Sequence, residues 1–357
     1  MLRIVTAVPT WPFYNHRYRK LLFELAKRFC LQIFAGSTLP AEDNNVLRLL
    51  RVLPFRLPRK LRYYISPSIA ELALSIVEAD IVWLLGIVSP FYPHLIRAPI
   101  VLDTDDPKVV LPREELSRIP KLSLVNELRI LKNRKVRKIV VPTELIRRKF
   151  IALGLDEDRV TVIPNGVDTS LFYPTPLPEE PVVLYYGTFQ RHRARLLLEV
   201  IEVLTRKKRD VKFVLIGDIP SPVRDRLLRV AGNRVEMPGF VEHERLPRYI
   251  QIARVCILPQ DRSLGLGGSL KLLEYMACGR PVVATNVDES FPLKESGAGI
   301  VTEIDAEAMA EAVIRLLDDD RLSEKLARKG VEYAQKYEWS NIVEQDVKLF
   351  YQVHNSL

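Results

Sequence analysis

Cysteine and long hydrophobic runs are scarce in this 357-residue sequence, and each shortage excludes a class of protein. The three cysteines, Cys30, Cys256 and Cys278, lie far apart and lack metal-ligand spacing. We therefore expect reduced thiols, no disulfide framework and no zinc site. The longest apolar stretch, residues 81–88, is too short for a bilayer span of about 20 residues, which excludes an integral membrane protein. No secretory signal opens the chain, so we expect a cytoplasmic location.

Glycine and negative charge are both scarce in the first half of the chain. Only three of the 15 glycines precede residue 160, and the net charge is +10 over residues 1–170 but −1 over residues 171–357. Both properties change near residues 171–180, where three prolines within five residues disfavour a helix or a central strand. We predict a domain over 1–175, a second over 176–339, and a helix over 340–357 that crosses back to the first domain.

The basic first half should attract an anionic partner such as phosphorylated lipid, a membrane surface or nucleic acid. Residues 51–65 interleave cations with apolar and aromatic side chains, which favours peripheral contact with an anionic membrane at its inner face. The same pattern would result from a solvated arginine-rich surface, or from a loop in which the aliphatic parts of the arginine side chains cover the core. No nucleic-acid-binding motif is present, so we expect no nucleic-acid partner.

Short apolar runs alternate with amphipathic segments along the whole chain. The runs cover residues 2–8, 31–35, 81–88, 99–103, 138–142, 160–164, 182–187, 211–217, 255–259, 281–284 and 298–301. The helix-like segments cover residues 15–29, 66–79, 112–137, 143–153, 192–207, 269–278, 304–317 and 321–337. Continuously apolar strands are typical of parallel sheets covered on both faces. The pattern therefore predicts the α/β class with two doubly wound, Rossmann-like domains, and a ligand-binding cleft between them.

The strongest local signal is a glycine-rich turn in residues 264–269, which follows an apolar strand and opens a helix that Ser269 can cap. Backbone N–H groups at such a turn can hold an anion. Lys271 and Glu274 share one helix face, so one can meet a phosphate and the other sugar hydroxyls. A plain helix start with a surface ion pair is the alternative interpretation.

Two weaker signals accompany the turn. Asn165-Gly166 sits in a strand-to-loop turn at residues 163–168, which local turn chemistry alone would explain. Gly187 ends a strand, and a basic stretch at residues 191–195 then begins a helix. Because cations oppose the dipole at a helix N-terminus, this placement favours either a bound phosphate or a solvated arginine face.

Together these segments, in this order and spacing, resemble the large group 1 family of retaining nucleotide-sugar glycosyltransferases with the GT-B fold. Residues 163–168 are similar to the interdomain signature of that family, and residues 274–284 to its donor-site helix and following strand. The similarity covers nearly all of residues 135–340, and the N-terminal domain matches only in outline. It implies a retaining, metal-independent hexosyltransferase without a cofactor, with a nucleotide-sugar donor and a glycan or lipid-linked acceptor.

The resemblance also implies roles for individual residues. Glu274 corresponds to the glutamate that holds the nucleotide ribose, and the turn before it would hold the distal phosphate. The implied donor contacts are Gly187, Gly239, Phe240, Gly267, Gly268, Ser269, Leu270 and Glu274. The implied catalytic residues are Arg193, Lys271, Asp105 and Asp106. The two cations would stabilise the diphosphate, and the two aspartates would position the acceptor. Two alternative roles for these acids stay open: a helix cap, or a metal-binding Asp-x-Asp motif formed by Asp103 and Asp105.

Three positions depart from the family pattern. Leu266 stands where a second glutamate often reads the donor sugar, and Asp105 stands where a histidine often precedes the matching Asp106. The loop at residues 9–17 lacks the usual glycines. Two other functions therefore stay open: a nucleotide-sugar epimerase of the same fold, which needs carboxylates and histidine around the donor, and a non-catalytic binder of anions or nucleic acid.

Overall fold

The computed structural model describes residues 2–8, 16–35, 47–51, 78–86, 96–189, 191–208, 210–264, 266–267 and 269–356. Side chains are described for these residues except 7–8, 16–19, 32–35, 47–51 and 191–193. The predicted membrane segment at residues 51–65 therefore lies outside the description, apart from the backbone of Arg51. Within the described part of the chain, no helix is both long and apolar enough to cross a membrane.

The chain divides into two compact units. The first comprises Met1–Asn165 with Trp339–Leu357, and the second comprises Gly166–Glu338. The division precedes the predicted boundary at residue 175, because the segment after Asn165 packs with the second unit. Val167 donates its N–H to the carbonyl of Tyr337 at 2.8 Å, and Phe172 is fully buried in the core of that unit.

The first unit contains a seven-stranded sheet in which every pair of neighbours is parallel. Its strands are β1 (Arg3–Val8), β2 (Cys30–Ala35), β3 (Leu47–Arg51), β4 (Ile81–Leu85), β5 (Ile100–Asp103), β6 (Val136–Val141) and β7 (Val160–Val162). The strand order is β3-β2-β1-β4-β5-β6-β7, so the direction of winding reverses between β1 and β4. Such a reversal defines a doubly wound sheet.

The described helices of the first unit are α1 (His16–Ala26), α2 (Arg113–Leu116), α3 (Lys121–Leu131), α4 (Glu144–Ala152) and, from the end of the chain, α12 (Trp339–Asn355). The prediction of one helix over residues 112–137 was wrong. Pro120 has non-helical backbone angles at the N-cap of α3, which starts at Lys121, and the residues from Val136 to Val141 form β6. Proline lacks the N–H that a continuous helix would need at this position.

The second unit contains a six-stranded parallel sheet. Its strands are β8 (Val182–Tyr186), β9 (Lys212–Ile216), β10 (Val235–Gly239), β11 (Val255–Leu258), β12 (Val282–Thr285) and β13 (Gly299–Thr302). The order is β10-β9-β8-β11-β12-β13, with the reversal between β8 and β11. Doubly wound domains bind ligands at the carboxyl ends of the strands beside this reversal.

Helices cover both faces of the second sheet. They are α5 (Arg191–Lys207), α6 (Ser221–Ala231), α7 (Leu246–Ile252), α8 (Leu270–Ala277), α9 (Phe291–Ser296), α10 (Ala306–Asp318) and α11 (Asp320–Lys336). Alternate residues of β8 enter opposite cores: Val183 and Tyr185 on one side, Val182 and Leu184 on the other. Two-sided burial explains why the strands are continuously apolar. The predicted α/β class with two doubly wound parallel sheets is confirmed.

Candidate functional site

Three glycines lie at the carboxyl ends of adjacent strands in the second unit. Gly187 follows β8, Gly217 follows β9 and Gly239 ends β10, with φ angles of 141°, 141° and 79°. The N–H of Gly187 donates to the carbonyl of Ile216, and that of Gly217 donates to the carbonyl of Gly239, both at 2.9 Å. A Cβ at Gly217 would collide with the carbonyl oxygen of Gly187. Glycine is therefore required for the close approach of these backbones, next to the point where the winding reverses.

Lys271, in the first turn of α8, extends its ammonium group to the end of β8. A Cβ added to Gly187 would lie 2.5 Å from Nζ of Lys271, so the lysine occupies the space that a side chain there would fill. Nζ also lies 5.8 Å from the ring centroid of Tyr185 and 5.7 Å from that of Tyr186, within reach of cation–π attraction. A cation held at this edge can stabilise negative charge on a ligand.

Glu274 lies one turn after Lys271 on the same helix and is only 6% exposed. One of its carboxylate oxygens accepts a hydrogen bond from the hydroxyl of Tyr186, and the other lies 2.8 Å from Nε2 of His243. Burial, followed by the neighbouring Glu274 carboxylate, raises the pKa of Tyr186 well above its usual range. The Tyr186 hydroxyl therefore keeps its proton and remains a hydrogen-bond donor to Glu274.

Glu289 holds the glycine-rich turn from the side of β12. It lies in the 3-10 turn Asp288–Ser290, and its Oε1 accepts the backbone N–H of Leu264 at 2.9 Å and that of Leu266 at 3.4 Å. Glu289 is 5% exposed, and its Oε2 has no hydrogen-bond partner within the described residues. The backbone at Leu266, where the family often has a glutamate side chain, is thus fixed by a carboxylate from another strand end.

The turn ends at Gly267, which has a φ of 72° and is buried, and at Ser269, which occupies the N-cap position of α8. Gly268 lies outside the described residues. The side chain of Ser269 accepts no N–H of the helix, so the predicted side-chain cap is not formed. The N–H of Leu272 instead donates to the backbone carbonyl of Ser269 at 3.2 Å. The N-terminus of a helix favours negative charge, so an anionic ligand would be stabilised at this end of α8.

The basic stretch begins α5 at Arg191, and its first turn contains no acidic residue. The side chains of Arg191, His192 and Arg193 lie outside the description, so the role of Arg193 stays a prediction. Arg195 is 64% exposed and lies 3.6 Å from both Glu199 and Asp261, so acids already neutralise this member of the stretch.

The loop after β10 presents an aromatic side chain to solvent. Phe240, directly after Gly239, is 83% exposed. Three residues later the ring of His243 packs on the buried ring of Phe172, with 5.0 Å between the ring centroids. This packing places the loop next to Glu274, because His243 contacts both. The predicted donor residues Gly187, Gly239, Lys271 and Glu274 therefore do lie at one edge of the second sheet.

In the first unit, the predicted acceptor residues follow β5. Asp103 ends the strand fully buried, and the side chain of Asp106 is exposed. Partial withdrawal of its carboxyl from water, followed by repulsion from Asp105, raises the pKa of Asp106, and Lys108 opposes that rise. Within the described residues, no group of three potential ligands is arranged to hold a metal ion.

Glu127 of α3 is a buried acid in the same region that the sequence did not single out. Its Oε1 accepts the backbone N–H of Lys108 at 2.9 Å, and its Oε2 has no partner within the described part of the chain. Burial raises the pKa of Glu127 to about 7, and Asp106 adds a smaller contribution in the same direction. Burial is therefore the main cause of the raised pKa of Glu127, and the hydrogen bond and charge of Lys108 oppose it.

A cavity of about 620 Å³ lies elsewhere in the second unit, beside the residues that precede β11 and β12. Its lining includes Pro174, Arg254, Gly279, Asp320 and Arg328. None of the predicted site residues lines it. Because ligands of doubly wound domains bind at the carboxyl ends of the strands, the candidate site is the edge around Gly187 and not this cavity.

Sequence reasoning missed the partners of Glu274 and of the glycine-rich turn. His243 lies within residues 135–340, the part of the chain whose sequence resembles the family. Glu289 follows the predicted strand at residues 281–284 closely. Because the carboxyl ends of parallel strands meet at one edge, polar residues shortly after each predicted strand are the signal that could have found Glu289. His243 follows β10, which the sequence did not predict, so this signal does not reach it.

Two family models match the chain: "Glycosyl transferases group 1" over residues 180–319 and "Glycosyltransferase Family 4" over residues 15–171. The chain is 36% identical to the alpha-D-kanosaminyltransferase of Streptomyces kanamyceticus over 160 residues, which is 43% of this chain and 41% of that protein. It is 29% identical to the phosphatidyl-myo-inositol mannosyltransferase of Mycolicibacterium smegmatis, over 59% of this chain and 56% of that protein. The matches thus span about half the length of these curated relatives or less.

Solved structures show the same fold over the whole chain. Sucrose-phosphate synthase from Thermosynechococcus elongatus has a TM-score of 0.81 at 22% identity and covers 100% of both chains. The lipopolysaccharide glycosyltransferase WaaG has a TM-score of 0.77 at 14% identity and covers 97% of this chain and 99% of that one. Anabaena HepE in complex with UDP-glucose has a TM-score of 0.73 at 16% identity and covers 100% of both.

Proposed function

The chain belongs to the group 1 family of glycosyltransferases with the GT-B fold, and on that premise we propose that it transfers a hexosyl unit from a nucleoside-diphosphate sugar to a hydroxyl group. The observation that carries the proposal is the position of Lys271 and Glu274, which both reach the end of β8 at the carboxyl edge of the second sheet. A cation and a carboxylate one helical turn apart match the two parts of such a donor, its diphosphate and its ribose.

The donor would lie across the carboxyl ends of β8, β10 and β11. Glu274 would accept hydrogen bonds from the ribose hydroxyls, and the exposed ring of Phe240 after Gly239 would contact the base. The phosphates would lie between Gly187 and the first N–H groups of α8, where the helix dipole favours negative charge. Gly267, Gly268, Ser269 and Leu270 would supply these backbone contacts.

The chemical step requires stabilisation of a leaving group more than a strong base. The bond between the sugar's anomeric carbon and the phosphate oxygen breaks, and Lys271, Arg193 and the N-terminus of α8 would stabilise the charge that develops on that phosphate. The acceptor oxygen would attack from the leaving-group face, forming the new glycosidic bond with retention, and its proton would pass to the phosphate. No divalent metal or other cofactor is needed for this sequence of events.

The acceptor would be a glycan or a lipid-linked sugar. Relatives of this chain include a phosphatidyl-myo-inositol mannosyltransferase and an O-antigen chain mannosyltransferase, whose names support such acceptors. Asp105 and Asp106 would position the acceptor hydroxyl. The location would be cytoplasmic, and the positive charge of the first half supports contact with an anionic membrane surface there. Sedimentation with anionic and neutral liposomes at low and high salt tests this, because attachment through charge should vanish at high salt.

A nucleotide-sugar epimerase is the second candidate, and one observation favours it. His243 and Glu274 lie 2.8 Å apart, which places an acid–base pair at the same edge of the sheet. An epimerase would convert one nucleotide sugar into its isomer with no acceptor and no net release of nucleoside diphosphate.

The deciding experiment incubates the chain with a panel of nucleotide sugars, with and without glycan and lipid acceptors, and measures nucleoside diphosphate release and sugar isomers. We expect acceptor-dependent release that persists in excess EDTA. Isomerisation without an acceptor would support the epimerase, and binding without either product would support a non-catalytic binder. If EDTA abolishes the release of nucleoside diphosphate and Mg²⁺ or Mn²⁺ restores it, the alternative interpretation of Asp103 and Asp105 as metal ligands would be supported.

A further inference from the structure

His243 contacts the carboxylate of Glu274 from a different part of the fold. It begins the 3-10 turn His243–Arg245 after β10, whereas Glu274 lies in α8. Nε2 of His243 is 2.8 Å from Oε1 of Glu274, and the histidine side chain is 20% exposed. An ionised carboxylate can only accept hydrogen bonds, so Nε2 is the ring nitrogen that carries the hydrogen.

The two oxygens of Glu274 therefore have different donors. The hydroxyl of Tyr186, at the end of β8, donates to Oε2, and the imidazole of His243 donates to Oε1. Burying a carboxylate costs free energy unless hydrogen bonds compensate for the lost water. Each carboxylate oxygen has a second lone pair, so both donors can stay in place while Glu274 accepts hydroxyl groups from a ligand.

The ring of His243 is itself fixed by packing. It lies against the buried Phe172, with 5.0 Å between the ring centroids and an interplanar angle of 56°. The backbone at His243 also follows the Gly239–Phe240 segment by only three residues. A side chain held on one face by Phe172 and bonded at its tip to Glu274 fixes both the carboxylate and the loop after β10.

We propose that His243 is a positioning residue that holds the Glu274 carboxylate for the ribose of the donor and couples the ribose site to the loop predicted to contact the base. The inference rests on the proposed function, because it assigns the ribose to Glu274. It does not involve the phosphates, which would lie on Lys271 and the N-terminus of α8. His243 should therefore matter for nucleosides and not for inorganic diphosphate.

The test compares two ligands and several variants by calorimetric titration at neutral pH. Uridine, guanosine and adenosine diphosphate are titrated first, and the tightest of them is carried forward beside inorganic diphosphate. H243F keeps an aromatic ring against Phe172 but has no donor. H243Q places an amide N–H near the position of Nε2, and H243N is too short to reach Glu274. H354F changes an exposed histidine in the first unit and is the matched control.

We expect H243F and H243N to weaken nucleoside diphosphate binding about tenfold, as removal of one hydrogen bond to a charged group does, and to leave inorganic diphosphate affinity unchanged. H243Q should stay within about twofold of the parent, as should H354F. Unchanged nucleoside affinity in H243F and H243N, or an equal loss for both ligands, would overturn the inference. A parent protein that binds no nucleoside diphosphate would instead overturn the proposed function, so the two failures are distinguishable.

Discussion

The ammonium group of Lys271 fills the space beside the Cα of Gly187, so a single methyl group there would lie 2.5 Å from Nζ. The two residues come from different elements, the end of β8 and the first turn of α8. Their contact fixes a positive charge at the point where the second sheet reverses its winding. The position of this charge therefore depends on both residues, because a side chain at residue 187 would occupy the space that the ammonium group of Lys271 fills.

Gly187→Ala should therefore displace Lys271. A φ of 141° at this position is strained for alanine, which costs about 1–3 kcal/mol of stability. The displaced ammonium should lower diphosphate affinity and transferase turnover about tenfold or more, because small misplacements of catalytic groups are costly. Calorimetric titration with inorganic diphosphate and a turnover assay measure both.

Gly232→Ala is the matched control for that variant. Gly232 also has a positive φ, 58°, but no atom lies within 4 Å of the added Cβ. It should lose a similar amount of stability and keep its affinity for diphosphate. Equal losses of affinity in both variants would mean that backbone strain alone, and not the contact with Lys271, explains the effect.

Glu274→Ala should weaken nucleoside diphosphate binding by about 1–3 kcal/mol, because charge-assisted hydrogen bonds to the ribose are lost. Its affinity for inorganic diphosphate should change little. Glu324→Ala, an exposed acid on α11 of the same unit, controls for the change in net charge. If both variants bind nucleoside diphosphates as the parent does, Glu274 does not belong to the donor site.

The donor helix illustrates what the sequence could predict. A helix at residues 269–278 was expected and Leu270–Ala277 is observed, with Lys271 and Glu274 on one face. Local signals sufficed because glycine, the N-cap residue and the helix period are all encoded within a few residues. The partners of Glu274 were not predictable in this way, since His243 is 31 residues away and meets it only in the folded sheet.

The two strands that the sequence missed are both at sheet edges. β3 (Leu47–Arg51) begins the order of the first sheet and β10 (Val235–Gly239) that of the second. Edge strands are covered less completely, so they need not be continuously apolar, and they tolerate residues such as Pro238 that a central strand excludes. The rule that found the buried strands therefore failed for β10, whose sequence is interrupted by Glu236 and Pro238, although it found the continuously apolar edge strand β13.

Glu289→Ala should loosen the glycine-rich turn, because two backbone N–H groups, those of Leu264 and Leu266, lose their acceptor. We expect affinity for inorganic diphosphate and for nucleoside diphosphate to fall by the same factor, about three- to tenfold. Glu289→Gln keeps a carbonyl acceptor and should restore most of the affinity. A loss confined to nucleoside diphosphates, or none at all, would contradict a role for Glu289 in shaping the phosphate-binding turn.

Glu127 should make the stability of the protein depend on pH. Burial raises its pKa from the ordinary 4.5 to about 7 in the folded state. Between these values the unfolded chain has released the proton and the folded chain still binds it, so stability falls as pH rises from about 4.5 to about 7. Above that range the full cost, about 3 kcal/mol for such a shift, is present.

Glu127→Gln removes this titration while keeping an acceptor for the N–H of Lys108. The variant should match the parent near pH 5 and exceed its unfolding free energy by up to about 3 kcal/mol at pH 8.5. Urea unfolding across that range measures the difference, and Glu114→Gln, an exposed acid on α2, should follow the parent. Burial destabilises the folded protein only when the Glu127 carboxyl is ionised. If the difference in unfolding free energy between Glu127→Gln and the parent stays the same at every pH, Glu127 ionises in the folded state without cost.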